Sequence, residues 1–330
     1  MLDADTFLTR LYVAVDDYCK REGVPPRALP GHRGPAPALA PSEVITLAAY
    51  AQWARFPSER AFYRHAAAHL RAAFPTLPAR PQLNRLVRAH ERLVIAFAHA
   101  VGTAVRRAAE PDAAFEALDT TAVPTRNAKR GTPGRGWLAG QADVGYSSRL
   151  GWFEGLRLLA AVSPRGVITG YGVGSGSAKE QPLTEALLAA RADPALARAL
   201  PQTGRGVGVS AADALAYFVA DSGFAGRDAH QRWRVGAGAV VITPPGGNWQ
   251  ATSRERWPDA LRRWLAHYRQ VVESVFDRLL FTLRLSRERP HALAGFTARL
   301  AACVALYNFC LLTNHQLGRP LLAFADLIVW

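Results

Sequence analysis

Cysteine is scarce in this sequence: Cys19, Cys303 and Cys310 are the only three in 330 residues. None forms a Cys-x-x-Cys pair or stands at zinc-ligand spacing from a histidine, which excludes the common structural zinc sites. An odd, sparse count fits a reducing compartment better than a disulfide framework. The nine histidines are scattered, with no His-Glu-x-x-His or triad-like context, and none is assigned to catalysis. Long apolar runs are also missing. The longest, Leu300 to Thr313, is interrupted by Asn308 and is shorter than the roughly 20 residues a membrane span needs. Met1 to Arg10 is mixed and polar and does not read as a signal peptide, so the expected location is cytoplasmic. Acids are the last shortage: 26 Asp and Glu stand against 40 Lys and Arg, a formal net charge of +14. Such an excess attracts polyanions, nucleic acid foremost. A chain this rich in Ala, Arg, Gly and Pro also gains a high pI from composition alone.

What is present is enough apolar residue, 49%, to bury a core. Phe7, Leu8, Leu11, Val15 and Tyr18 recur with helical period, and residues 23–41 read as a Pro- and Gly-rich loop. A helix is predicted after Pro41 with Ser42 as its cap, another after Pro57-Ser58, and one long helix from Pro81 to Glu110. The pattern changes at Glu110-Pro111-Asp112. Ala114 to Thr120 reads as a short strand ending in an acid, and Pro124 to Arg149 as a polar, basic, Gly-rich stretch. Phe153–Val162 and Val167–Val173 are strand-like, split by the turn Ser163-Pro164-Arg165-Gly166. There follow a helix (Pro182–Ala192), a strand (Ala216–Ala220), a helix (Ala225–Arg234), a strand (Ala237–Thr243) and helical segments from Pro258 to Glu288 and from His291 to about Asn314. Three strands in a meander followed by strands needing crossover helices give a mixed sheet covered by helices, the order of a ribonuclease H-like core. The predicted class is therefore α/β, with an all-helical region (1–110) ahead of a ribonuclease H-like domain (111–330). Gly170 to Gly176 lacks the strand–loop–helix frame with Lys-Ser/Thr and reads as a strand end, not a phosphate loop.

Three acids stand out by context. Asp119 ends the first strand in LDTT, Asp221 ends the fourth in VADSGF, and Glu273 lies on the following helix in HYRQVVESVFDRL. If the first and fourth strands are neighbours, the two aspartates sit side by side at one sheet edge and the helix delivers Glu273 across from them. Each has an ordinary alternative: a cap before Thr120-Thr121, turn chemistry at Asp221-Ser222-Gly223, and an i,i+4 pair of Arg269 with Glu273. Val271, Val272, Val275 and Phe276 around Glu273 predict a largely buried helix there, and a buried carboxylate needs a partner or a metal. The loop Arg126-Asn127-Ala128-Lys129-Arg130-Gly131, with Arg135, Arg149 and Arg157, is the best basic patch. It borders Asp119, so it is placed to neutralise DNA phosphates, the alternative being a solvated loop. Trp137, Trp152, Trp249 and Trp257 fall in or near loops, where packing is the ordinary role and base stacking the functional one.

These segments resemble bacterial insertion-sequence transposases of the DDE class. LDTTAVPT is similar to that family's first catalytic strand, VADSGFAG to its second-Asp motif, and YRQVVESVFDRL to its C-terminal signature, with Arg, three residues and Glu on one helix. PSEVITLAAYAQWARFPSERAFYRH and FPTLPARPQLNRLVR resemble the helical N-terminal region of a compact branch. The resemblance spans about Phe7 to Asn314. It implies Asp119, Asp221 and Glu273 as a triad holding Mg²⁺, which Mn²⁺ can replace, and double-stranded DNA (element ends and target) as substrate. It also implies an N-terminal region that helps bind ends, synapsis by a homodimer, and Arg269 on a DNA phosphate. Many relatives have Tyr three residues before that Arg and Lys seven after the Glu; here these are Ala266 and Leu280. A His-Asp pair that many relatives carry after the third strand is replaced by Ser177-Ala178-Lys179-Glu180-Gln181. Two alternatives therefore stand beside an active transposase: a catalytically inactive, domesticated DNA-binding derivative, and a ribonuclease H-like nuclease without strand transfer. No aromatic RNA-recognition motif supports an RNA-binding module.

Overall fold

The computed structural model describes residues 1–26, 36–126, 138, 141–192, 208–209, 217–244, 257–287, 290 and 292–330. Helices come first. Asp3 caps α1 (Ala4–Arg21) by accepting the Thr6 N–H at 2.7 Å, and the predicted stripe Phe7, Leu11, Val15 is fully buried. α2 (Pro41–Tyr50) begins differently from the expectation. Ser42 lies buried inside the first turn, and Glu43 reaches back to accept the Ala40 N–H at 2.6 Å. Ser58 caps α3 (Glu59–His69), accepting from the Ala61 N–H at 3.1 Å.

The expected long helix is two: α4 (Arg80–Ala89) and α5 (Glu91–Ala109), broken at His90, whose ψ of 15 leaves the helical region. The break turns two apolar stripes, Leu83 and Leu86 on α4 and Val94, Phe97, Val101 and Val105 on α5, into one core.

One sheet organises the rest. Its strands run in the order β6-β5-β4-β2-β7-β8, with β3 pairing β4; these are β2 (Glu116–Arg126), β3 (Asp143–Ser147), β4 (Gly151–Val162), β5 (Ile168–Ser175), β6 (Gly208–Val209), β7 (Tyr217–Ala220) and β8 (Val240–Ile242). β2, β4 and β5 form the expected antiparallel meander, while β7 and β8 join parallel. α6 (Glu180–Ala192) and α7 (Arg227–Ala237) supply the crossovers. β2 does not stop at its acid. Alternation of Thr121 and Val123 with Thr120 and Ala122 carries it on to Arg126 beside β4, whereas its parallel partner β7 ends at Ala220, opposite Leu118. β3 falls in the stretch read as polar, basic and Gly-rich, where no strand is expected. Its register puts Gly145 so close to Gly176 that a Cβ there would stand 2.0 Å from the Gly176 carbonyl oxygen, and this glycine requirement hides the strand pattern.

The two faces of the sheet bury different helices. Leu118, Leu159, Ala161, Phe218 and Ala220 pack against α6 and α7. Ala117, Val123, Leu156, Leu158 and Ala160 pack against α5, α8 (Asp259–Asp277) and α9 (Leu293–Gln316). The expectation that no segment is long and apolar enough to span a membrane needs correcting, because α9 is. However, 83% of its most apolar stretch is buried in this core, which makes it a central packing helix. Asn308, which interrupts the run, docks α9 on the sheet: its amide accepts the Ile168 N–H at 3.2 Å and donates to the Ile168 carbonyl at 2.9 Å. A last strand, β9 (Ile328–Val329), pairs in parallel with β1 (Leu2–Asp3). This mixed sheet with helices on both faces and a helical N-terminal region is the ribonuclease H-like arrangement expected from the strand order.

Candidate active site

Leu118 and Ala220 are the last paired residues of β2 and β7, so Asp119 and Asp221 follow at the same level on neighbouring strands. Asp119 lies opposite Ala160 and shares its sheet face, the one covered by α8. Its Oδ1 accepts the Thr120 N–H at 2.7 Å. Asp221 opens a tight turn, and its Oδ1 accepts the Gly223 N–H at 2.8 Å. On α8, Arg269 and Glu273 are four residues apart and therefore share a face. The Arg269 Nη2 atom is 3.9 Å from Asp221 Oδ2 and 4.0 Å from Glu273 Oε1. Glu273 is not buried as its neighbours predict: Val272, Val275 and Phe276 enter the core, while the Glu273 side chain is 60% exposed on the other side of the helix.

Burial pushes the Asp119 carboxyl up to about 7, opposed by its Thr120 hydrogen bond; the negative charges of Asp221 and Glu273 raise it further, and Arg269 counteracts them. The Asp119 carboxyl thus senses two further carboxylates at the strand ends. All the donors are hard oxygens, the chemistry suited to Mg²⁺ or Mn²⁺, and a cation there would relieve the repulsion. The fit is closest at the two adjacent aspartates. Among the described residues no three His, Cys, Asp or Glu side chains close around a single ion, and the Arg269 guanidinium stands between Asp221 and Glu273.

The other expected residues are distributed as follows. Arg149 sits in the β3–β4 turn, 41% exposed, 3.5 Å from Asp277 and with its guanidinium 5.3 Å from the Phe281 ring centre. Arg157, on β4, points to the α6 side, where its donors engage Glu180 at 2.7 Å, the Tyr146 carbonyl at 2.9 Å and the Gly176 carbonyl at 3.4 Å. Arg126 closes β2 opposite Glu154. Lys129, Arg130 and Arg135 lie outside the described residues, as do Trp137 and Trp249. Trp152 is 71% exposed and meets Tyr146 edge-on, and Trp257 packs partly against the core. Of the two departures in the helix signature, Ala266 is exposed on α8 and Leu280 is fully buried in the turn that follows it.

Two features carry no sequence mark of their own. Glu180, the first residue of α6, reaches both aspartate-bearing strand ends from the opposite face of the sheet; its only signal is its place where relatives carry a His-Asp pair. On α3, α4 and the segment between them, Arg60, Arg64, Arg71, Arg80, Arg85 and Arg88 are all exposed. No acid occurs from Arg60 to His90, and among the described residues none of these six side chains is in an ion pair.

A family model described as "Transposase DDE domain" matches residues 113–309, more than half of the chain and the whole span from just before Asp119 to well past Glu273. No curated protein and no solved structure matches.

Proposed function

The chain belongs to the transposase DDE-domain family, and on that premise we propose that it is a DNA transposase whose Asp119, Asp221 and Glu273 serve the cleavage and joining of phosphodiesters at the ends of an insertion sequence. The observation that supports this reading best is the register that sets Asp119 and Asp221 side by side at adjacent strand ends, with α8 bringing Arg269 and Glu273 over the same face. Mg²⁺, or Mn²⁺ in its place, would be held by the three carboxylates and would supply activation of the attacking oxygen and charge neutralisation at the leaving one.

The chain's own residues do the rest. Asp119 and Asp221, on stiff strands, present fixed oxygens with little reorganisation. Arg269, which lies near Asp221 and Glu273 here, would be free to turn to a non-bridging phosphate oxygen if a bound cation took their charge. In the first step a water oxygen bonds to phosphorus at the element end and the bond to the 3′ oxygen breaks, a water proton passing to the departing 3′ oxygen to make a free 3′-OH. In the second step that 3′-OH attacks a target phosphorus and displaces the target's own 3′ oxygen, which leaves as a hydroxyl carrying the attacking group's proton. Arg126, Lys129, Arg130, Arg135, Arg149 and Arg269 neutralise backbone phosphates, and Arg157 acts by bracing the site. Residues 1–110 form a domain that binds the element ends through its exposed arginines, and residues 111–330 form the catalytic domain. Two copies synapse two ends, on bacterial DNA in the cytoplasm.

A second reading has one specific observation behind it. The position at which many relatives carry Lys is the fully buried Leu280, and loss of that cation favours a DNA-binding derivative that cleaves nothing. The deciding experiment is cleavage of a labelled duplex bearing the element's flanking ends, in Mg²⁺ or Mn²⁺, by wild type and Asp221→Ala. Metal-dependent nicking at the ends that disappears in the variant is the expected result. Tight, salt-sensitive binding without cleavage by wild type in either metal would establish the second reading. Nicking that never proceeds to joining would reduce the protein to a nuclease.

A further inference from the structure

Glu180 stands where three elements meet. From the first turn of α6 its Oε1 accepts from Arg157 Nη1 at 2.7 Å and from the Thr120 hydroxyl at 3.3 Å. Thr120 is the residue whose N–H binds the Asp119 carboxylate. Glu180 also backs the Asp221 turn: a Cβ built on Gly223 would lie 3.0 Å from Asp221 Oδ1 and 3.6 Å from Glu180 Cδ. The next residue, Gln181, ties the same turn down by donating to the Ala225 carbonyl at 2.8 Å. A Cβ on Gly226 would come within 2.9 Å of that Gln181 amide, so the turn is built to admit α6 closely. Arg157 is itself anchored by the carbonyls of Tyr146 and Gly176, on β3 and beyond β5. The side chains of Arg157 and Glu180 are 15% and 24% exposed, sheltered enough for the pair to hold one geometry.

We propose that Glu180, held by Arg157, is a positioning residue of the phosphoryl-transfer site: it fixes Thr120, and so the Asp119 carboxylate, and supports the Asp221 turn, setting the separation of the two aspartates. The proposal rests on the assignment of Asp119 and Asp221, with Glu273, as the cation-holding carboxylates. It assigns Arg157 to the same brace and removes it from direct contact with DNA. Outer partners that orient ligating carboxylates are worth roughly 10- to 100-fold in metal affinity or activity in other sites.

The test compares wild type with Glu180→Ala, Glu180→Gln, Arg157→Ala and the Glu180→Ala/Arg157→Ala double variant. Three quantities are read: Mn²⁺ affinity of the DNA-free protein by electron paramagnetic resonance, kcat and KM for nicking of an end-bearing duplex, and melting temperature without metal. Glu180→Ala is expected to bind Mn²⁺ about tenfold or more weakly and to lose kcat in proportion, with KM for DNA unchanged. Glu180→Gln, whose amide oxygen still accepts from Arg157 and Thr120, restores most of both. Arg157→Ala resembles Glu180→Ala, and the double variant is no worse than either, as a shared brace requires. Wild-type Mn²⁺ affinity and kcat in Glu180→Ala would overturn the proposal, and so would a rise in KM alone, which would return the pair to the DNA surface. If the alanine variant does not fold, Glu180→Gln decides: a folded glutamine variant that still loses Mn²⁺ shows that charge, not position, is what Glu180 supplies, and overturns it. Failure of the proposal alone leaves the difference between wild type and Asp221→Ala intact. Absence of Mn²⁺ binding by wild type removes the carboxylate assignment, and the proposal with it.

Discussion

Glu116 lies three residues before Asp119 and gathers arginines from two helices: Arg191 of α6 at 2.6 Å and Arg106 of α5 at 3.9 Å. Glu116 and Arg191 are 1% and 4% exposed, so removing one partner strands a charge without water. Arg191 also donates to the Thr169 hydroxyl at 3.2 Å and lies over the Phe218 ring, which fixes its place between β5 and β7. Glu116→Ala should cost about 3–5 kcal/mol, read from denaturant unfolding, whereas pairing it with Arg191→Leu should recover much of the loss. Equal destabilisation by single and double variants would show that packing, not charge pairing, sets the cost. Neither Glu116 nor the role of Glu180 stands out from its own neighbours in the sequence, because their nearest cations, Arg191 and Arg157, lie 75 and 23 residues away along the chain. Asp119, Asp221 and Glu273 stand out there because their neighbours do: apolar residues run straight into each aspartate, and a helical period carries Arg269 and Glu273 together.

At the scale of elements, the break at His90 shows where periodicity stops being informative. The apolar positions of α4 and α5 form a continuous helical pattern, and nothing local forces an interruption. The core does so, by needing both stripes at once. His90 is 1% exposed, with no hydrogen-bond partner for either ring nitrogen among the described residues, and burial lowers its pKa below 6.5. A depressed folded-state value means that the unfolded chain takes up the proton more readily. The stability linked to His90 is therefore fully present above about pH 6.5 and is lost as pH falls. Asp119, raised by burial to about 7, takes up its proton over the same range and opposes this loss, so the His90 contribution is read as a difference: the melting temperature of His90→Leu relative to wild type should rise as pH is lowered from 7 to 5, while the part due to His65, also lowered by burial, stays in both proteins. An unchanged profile in His90→Leu would place the acid sensitivity elsewhere. β4, β5, the later helices and the start of β2 are legible to within a few residues because their burial is two-sided or strongly periodic, whereas the far end of β2 runs six residues past the expected Thr120. β3 was not, because Val144, Tyr146 and Trp152 face water in a hairpin whose glycines serve close backbone approach.

Over the whole molecule the sequence conveys the sign of the charge and the order of the sheet, but not where the charge is concentrated. The net +14 is a sum, and much of it is cancelled locally: Arg106, Arg157, Arg191 and Arg232 all meet acids. The arginines of α3 and α4 are not paired with acids among the described residues, which makes this surface the place to test the proposed DNA contact against compositional bias. Each phosphate neutralised by such a side chain releases condensed counterions, so affinity falls with salt along a log–log slope of about −0.9 per contact. Replacing Arg85 and Arg88 by Glu should therefore weaken duplex binding and make that slope shallower by about two. Arg232→Glu, on the sheet face opposite Asp119 and already bound to Glu185 at 2.7 Å, should leave the slope unchanged. Filter binding of an end-bearing duplex across a KCl series measures both. The comparison also separates the two halves of the proposed enzyme, since charge reversal on α4 should raise KM for end cleavage while kcat at saturating DNA stays near wild type. If the slope is unchanged in Arg85→Glu/Arg88→Glu yet shallower in Arg149→Glu, the phosphates are held by the sheet face around the carboxylates, and residues 1–110 serve packing rather than DNA.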